Sequence, residues 1–169
     1  MKMETILKTY WSKIMNDLEF ILNFEQNKIN GIWLSGIEGE GEFIRYHENG
    51  QFKEHSFWKN GKRHGEYKYY YDNGQIWEHS LYENGERHGE YKEYHENGNL
   101  GIHCFYENGK LYGEYKDYHK NGNLREYSNW ENGKLHGEYK DYYENGQIWE
   151  HSLYENGNKI KDLMVQNNE

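Results

Sequence analysis

From residue 49 onward the dipeptide Asn-Gly recurs ten times, with Asn at 49, 60, 73, 84, 97, 108, 121, 132, 145 and 156, at spacings that alternate between 11 and 13 residues. A second beat runs with it: "GEF" begins at 41 and "GEY" at 65, 89, 113 and 137, each 24 residues after the last. One string, "NGQIWEHSLYENG", stands letter for letter at 73–85 and again at 145–157. Repetition at a fixed short period marks a structural unit that stacks on copies of itself, because one such unit cannot bury its apolar face alone. Asn-Gly between runs of Tyr, Ile and Trp is the strongest local signal for a two-residue type I′ turn, in which both central residues need positive φ. Each dipeptide therefore predicts a chain reversal and each 24-residue unit a hairpin. The body reads as an all-β repeat, an elongated antiparallel meander of about ten strands with turns at alternate edges.

Counting outward from two-residue turns fixes a predicted register. Around Asn97-Gly98 it sets Leu100 opposite His95, His103 opposite Lys92, and Cys104 opposite Tyr91. Strict alternation then sorts the columns. One face collects Tyr67, Tyr91, Tyr115 and Tyr139 with Phe43; Ile76, Leu100, Leu124 and Ile148 with Phe52; and Tyr82, Tyr106 and Tyr154 with Trp58 and Trp130. Gly65, Gly89, Gly113 and Gly137 share that face, opposite a small-residue column of Ser56, Ser80, Cys104, Ser128 and Ser152. The other face carries Glu66, Glu90, Glu114 and Glu138, then Lys68, Lys92, Lys116 and Lys140, with His55, His79, His103 and His151 and the tyrosines Tyr46, Tyr70, Tyr94, Tyr118 and Tyr142. Interleaved opposite charges fit cross-strand pairs on a solvated surface, each worth some tenths of a kcal/mol. A ligand-binding strip fits the same columns.

A repeat sheet needs its end strands covered. Leu7, Trp11, Ile14, Leu18 and Ile21 recur at spacings of 4, 3, 4 and 3, which predicts an amphipathic helix at about residues 3–24. Its expected role is to cap the first strand or a sheet face; a surface offered to a partner, or to a second copy in a homodimer, is the alternative. "GIWLSGIEGEGEF" at 31–43 reads as a worn half-unit whose turn has become Ser35-Gly36, and "NKIKDLMVQNNE" leaves the pattern. The expected organisation is a helical cap over 1–30, a repeat sheet over 31–160 and a polar tail over 161–169. A net charge of −9 gives no electrostatic case for nucleic acid, which is bound through clustered Lys and Arg. One cysteine and no long apolar run point to a reducing compartment without a membrane span, hence the cytoplasm. An aromatic share of 18% separates the chain from disordered sequences, which are poor in aromatics.

The chemistry-bearing residues do not assemble into a reaction centre. Same-column histidines and glutamates in successive units are two strands, roughly 10 Å, apart, whereas a zinc ion holds its ligands at about 2 Å. A neighbouring pair such as His79 and Glu90 supplies too few ligands. Cys104 stands where the sister units have Ser, which reads as a near-isosteric replacement and not as a nucleophile. Neither a nucleophile elbow, a zinc-binding helix motif nor a phosphate-cradling glycine loop is present. The expectation is no catalytic, metal or cofactor site and no enzymatic activity.

The recurring string "GEYKxYYENGQIWEHSxYENGKxH" resembles the MORN-variant repeat, in which Gly-Glu-aromatic, Tyr-x-x-Asn-Gly and a second Asn-Gly mark each short hairpin. The resemblance covers about residues 31–160. It implies a stacked-hairpin fold and, through relatives labelled antitoxin-like, a protein that neutralises a toxin-like partner; other MORN proteins imply scaffolding or binding of lipid headgroups. Two Asn-Gly turns per unit and an acidic balance set this chain apart, and acidity works against anionic lipid. The residues together point to a protein-binding module whose aromatic side chains anchor a protein partner. The candidate partner-binding residues are Tyr46, Tyr70, Tyr94, Tyr118, Tyr142, Trp77 and Trp149. Membrane or lipid-headgroup association through the sheet or the leader helix is the alternative.

Overall fold

A computed structural model of the chain describes residues 30–163. The helix expected at 3–24 and residues 164–169 lie outside the described residues. The described part is one antiparallel sheet of thirteen strands: β1 (Ile32–Trp33), β2 (Gly41–Tyr46), β3 (Phe52–Lys59), β4 (Lys62–Tyr70), β5 (Ile76–Glu83), β6 (Glu86–Tyr94), β7 (Leu100–Glu107), β8 (Lys110–Leu111), β9 (Gly113–Tyr118), β10 (Leu124–Glu131), β11 (Lys134–Tyr142), β12 (Ile148–Glu155) and β13 (Asn158–Asp162). Strands neighbour in chain order, except that β8 and β9 are two pieces of one broken strand and both pair with β7. The worn half-unit forms the first hairpin, with Ile32 opposite Ile44 and Trp33 opposite Phe43. At the far end β13 pairs with β12, so the sheet runs into the segment that leaves the sequence pattern.

The ten Asn-Gly dipeptides do all sit at reversals, but they build two kinds of turn. Asn60, Asn84, Asn108, Asn132 and Asn156 have φ of 50–52°, and the glycine after each is also at positive φ, as a two-residue type I′ turn requires. Asn49, Asn73, Asn97, Asn121 and Asn145 are not in that region; only their glycines are. There the turn spans three residues. The Gly50 amide donates to His47 O and the His47 amide to Gln51 O, both at 2.9 Å, and each later unit repeats the pair. Asn serves these turns through its side chain: Asn97 Oδ1 accepts from the Asn99 amide at 3.0 Å while Nδ2 donates to Lys120 O in the next unit at 2.9 Å.

The extra turn residue shifts the register. Leu100 pairs with Tyr94, not with His95, and the expected pairs Lys92 with His103 and Tyr91 with Cys104 are restored one step on. Gly101 is the residue squeezed out between them, a β-bulge. Lys53, Trp77, Arg125 and Trp149 occupy the same bulge in the other units. A bulge inverts the alternation, so the column Phe52, Ile76, Leu100, Leu124 and Ile148 leaves the face to which strict alternation assigns it and joins Tyr46, Tyr70, Tyr94, Tyr118 and Tyr142. The glycines also move relative to expectation. Gly65, Gly89 and Gly137 lie opposite Tyr82, Tyr106 and Tyr154, and Gly113 opposite Trp130, while the serines and Cys104 face the tyrosines Tyr67 to Tyr139. Gly89, at φ 91°, sits in a second, wider bulge where Leu81 alone spans three residues of β6. A Cβ there would lie 3.3 Å from Leu81 Cδ1 in a backbone region that side chains avoid.

The two faces are unequal. On the serine face, Ser56, Ser80, Cys104, Ser128 and Ser152 are at most 1% exposed, and Tyr67 and Tyr91 are buried over them. Each buried hydroxyl is satisfied. Trp58 Nε1 donates to Ser56 Oγ at 2.9 Å, Trp130 Nε1 does the same to Ser128 Oγ, and Ser80 Oγ donates to Glu78 Oε1 at 2.8 Å. Crossed tyrosine pairs such as Tyr91–Tyr106, at 5.7 Å between centroids, add about 1 kcal/mol each beyond the area they bury.

Candidate binding surface

Opposite the serine face lies the lysine face, which carries the five tyrosines named from the sequence. Tyr46, Tyr70, Tyr94, Tyr118 and Tyr142 are all half-buried and lie one step before the three-residue turns. The bulge sets Phe52, Ile76, Leu100, Leu124 and Ile148 directly across from them. Phe52 stacks on Tyr46 at 5.0 Å and lies 6.1 Å from Tyr70. The result is a stripe in which tyrosine and an apolar side chain alternate from strand to strand across the sheet. Burial raises the Tyr70 hydroxyl above its ordinary pKa.

Beside the stripe runs a charged band. Glu66 accepts from Lys68 Nζ at 2.8 Å and from His79 Nε2 at 3.0 Å, and Glu90 repeats this with Lys92 and His103 at the same distances. Glu138 takes Lys140 at 2.9 Å and His151 at 3.3 Å; in the unit that lacks this histidine, Glu114 takes Lys116 at 2.7 Å and the Tyr127 hydroxyl at 3.2 Å. The lysine hydrogen bond is the main reason that Glu66, Glu90, Glu114 and Glu138 lie below the ordinary carboxylate range. Beyond the band, opposite Glu66, Glu90 and Glu138, stand Leu81, Phe105 and Leu153, while Glu114 faces Asn129. Leu81 is 40% and Phe105 38% exposed. Apolar columns thus bracket the charges on both sides.

The seven candidate residues do not form one surface. Trp77 and Trp149 are bulge residues, and the bulge turns them to the serine face. Trp77 packs 5.4 Å from Tyr69, which pairs with Glu78, and 6.3 Å from Tyr71. Trp149 lies 6.4 Å from Tyr143. The sequence reading missed the apolar partners of the stripe, because a two-residue turn at every Asn-Gly leaves no residue over for the bulge that turns Ile76 toward Tyr70.

Cys104 is buried, and burial pushes its thiol up to about 12, so it stays protonated and unreactive near neutrality. No group of three or more His, Cys, Asp or Glu among the described residues can hold a metal ion. Among the described residues no helix is long and apolar enough to cross a membrane.

A sequence profile described as "MORN repeat variant" matches residues 39–61, 63–84, 87–100, 111–132 and 135–156, more than half of the chain. Its third match stops at 100, just before the unit in which Gly101, Ile102, Cys104 and Leu111 depart from the repeat. No curated protein matches. Among solved structures, a mutant of S. aureus TarM in complex with Fondaparinux, alpha-GlcNAc-glycerol and UDP is 14% identical over 76% of this chain and 26% of that one, with a TM-score of 0.38. A second TarM structure is 15% identical over 83% of this chain and 26% of its own, with a TM-score of 0.35. This chain spans about a quarter of the length of either.

Proposed function

The chain belongs to the MORN repeat variant family, whose repeats generally act as binding modules, and from that premise we propose that it docks a protein partner on its lysine face and catalyses no reaction. The observation that carries this reading is the stripe of Tyr46, Tyr70, Tyr94, Tyr118 and Tyr142 alternating with Phe52, Ile76, Leu100, Leu124 and Ile148. Rigid tyrosines give contact area at low entropy cost, and the charged band beside them supplies a polar rim. The net charge of −9 favours fast association with a basic partner. A toxin-like protein whose active surface is basic, covered and neutralised in the cytoplasm, is the specific form of the proposal.

Lipid-headgroup association is the rival reading, and the lysine column next to an apolar stripe is what favours it. Against it, Lys68, Lys92, Lys116 and Lys140 each lie within 2.9 Å of a glutamate on their own strand, which leaves no net positive strip for anionic lipid.

The test compares the intact chain with a variant carrying Tyr70→Ser, Tyr94→Ser and Tyr118→Ser, in affinity capture from the native source and in co-sedimentation with anionic vesicles at low salt. Loss of a captured protein from a variant that still melts cooperatively supports protein docking. Full retention of every captured protein removes the stripe as the docking surface, and pelleting of the intact chain with vesicles moves the reading to lipid.

A further inference from the structure

One arrangement on the serine face is built three times and holds an arginine in only two of them. In the first copy the Arg63 guanidinium lies 4.5 Å from the Tyr67 ring centroid, 5.5 Å from Tyr82 and 5.4 Å from Trp58, and Nη2 donates to Glu54 Oε1 at 3.2 Å. In the second, Arg87 lies 4.7 Å from Tyr91 and 5.5 Å from Tyr106 and donates to Glu78 Oε1 at 3.0 Å. The rings beneath them keep one geometry: Tyr67–Tyr82 at 5.6 Å and 67°, Tyr91–Tyr106 at 5.7 Å and 70°.

Tyr139–Tyr154 repeats that crossed pair at 5.7 Å and 61°. The rest of the frame is present around it. Trp130 stands where the first copy has Trp58, and its Nε1 donates to Ser128 Oγ at 2.9 Å as Trp58 Nε1 does to Ser56 Oγ. Glu126 stands where that copy has Glu54, accepting from Ser128 Oγ at 2.8 Å. The position of the arginine, however, is Leu135. Among the described residues no lysine or arginine forms an ion pair with Glu126; the adjacent Arg125 is taken by Asp117. The residues across from Glu126 on either side, Asp117 and Asp141, are themselves acids, and burial holds the Glu126 carboxyl above its ordinary range.

The neighbouring units show that this loss of the cation is not general. In the unit before, Ile102 and Leu111 replace the glutamate and the arginine together, so no unpaired carboxylate remains. In the unit after, Lys159 Nζ lies 3.0 Å from Glu150 Oε1. Among the described residues, only at Glu126 does the frame keep its carboxylate and rings while the chain withholds the cation.

We propose that Glu126, Trp130, Tyr139 and Tyr154 form a binding frame for an arginine side chain supplied by a protein partner. A guanidinium fits where an ammonium fits poorly, because its plane lies flat on aromatic rings while its edge forks to a carboxylate. The frame is on the opposite face from the tyrosine stripe, so it stands or falls apart from that surface.

The test is an NMR titration of the full chain with N-acetyl-arginine amide and, separately, N-acetyl-lysine amide, following the Trp130 indole N–H and the amides of Glu126, Tyr139 and Tyr154. Saturable shifts localised to these residues are expected with the arginine probe. Glu126→Gln should weaken its affinity by about tenfold, the order expected for losing a charged hydrogen-bond partner. Leu135→Arg should abolish the shifts and raise Tm, because the chain then fills the frame as Arg63 and Arg87 fill theirs. No localised shift with the intact chain, equal response to the lysine probe, or unchanged arginine binding in the Leu135→Arg variant each overturns the proposal.

Discussion

The identical segments 73–85 and 145–157 fold into the same hairpin, yet they are not equally part of the core. Trp77 is half-buried and packs on Tyr69; Trp149 is 47% exposed, and the position matching Tyr69 is Asp141. Ile76 is half-buried against 43% exposure for Ile148. Glu78 is buried under Arg87, whereas Glu150 is half-buried and held by the exposed end of Lys159. One position runs the other way: Leu81 is exposed and Leu153 half-buried, because the β12–β13 pairing lacks the glycine bulge and puts Lys161 directly across from Leu153. Thirteen residues thus determine a local shape, and the strands on either side determine how much stability that shape yields, as expected where each repeat contacts only its neighbours.

Paired substitutions can break this comparison. The largest difference should come from glutamate: Glu78→Ala strands Arg87 among rings at a cost of about 2–3 kcal/mol, while Glu150→Ala costs about 0.5 kcal/mol, as for a surface pair. Urea denaturation of the two variants measures both, and equal midpoints would end the argument from context. Trp77→Ala should lose about 2 kcal/mol and Trp149→Ala about half of that, since less packing is removed at the end of the sheet; thermal melts suffice. Asparagine at the turn gives a smaller contrast. Asn73 Nδ2 donates to Glu96 O in the next unit at 3.3 Å, but among the described residues Asn145 has no such neighbour and reaches its own Gln147 Oε1 at 3.2 Å. Asn73→Ala should therefore cost about 1 kcal/mol and Asn145→Ala a few tenths, resolvable by native-state hydrogen exchange.

Acid titration should find the copies alike. Glu66 with His79 and Glu138 with His151 make the same contacts, and Lys68 and Lys140 lower the two carboxyls below their ordinary 4.5. A carboxylate held below its unfolded value adds stability that is present above that value and lost as pH falls through the folded one. Glu66→Gln and Glu138→Gln should each flatten the decline of Tm below about pH 4.5 by the same small amount. A variant that flattens only one would show that the end of the sheet differs in charge as well as in packing.

Much of this architecture is legible in the sequence because its determinants are local. Ten Asn-Gly pairs mark ten reversals, and the 24-residue beat places like residues in columns. What escaped is the difference between two turns that share a dipeptide. Asn84 is there for its backbone, which enters the left-handed region; Asn73 is there for its amide side chain, which caps its own turn and ties down the next. Composition cannot separate these uses. The cost of missing the difference is one residue of register per unit, enough to assign Ile76 and Trp77 each to the wrong face and so to join Trp77 and Trp149 to a tyrosine stripe they do not share. The frame at Glu126 was hidden for another reason: an absent arginine is visible only after Arg63 and Arg87 have shown what the frame holds.

Both edges of the sheet are tied by bonds between equivalent positions of successive units. Along one, Gly85, Gly109, Gly133 and Gly157 amides donate to the carbonyls of Arg63, Arg87, Leu111 and Leu135; along the other, His47, Tyr71, His95 and His119 reach the carbonyls of Tyr70, Tyr94, Tyr118 and Tyr142. Such rails give the molecule a constant pitch of two strands, about 9.5 Å, per unit. It is therefore a ruler graduated in steps of 24 residues: gain or loss of a whole unit changes its length by one graduation and invents no new joint.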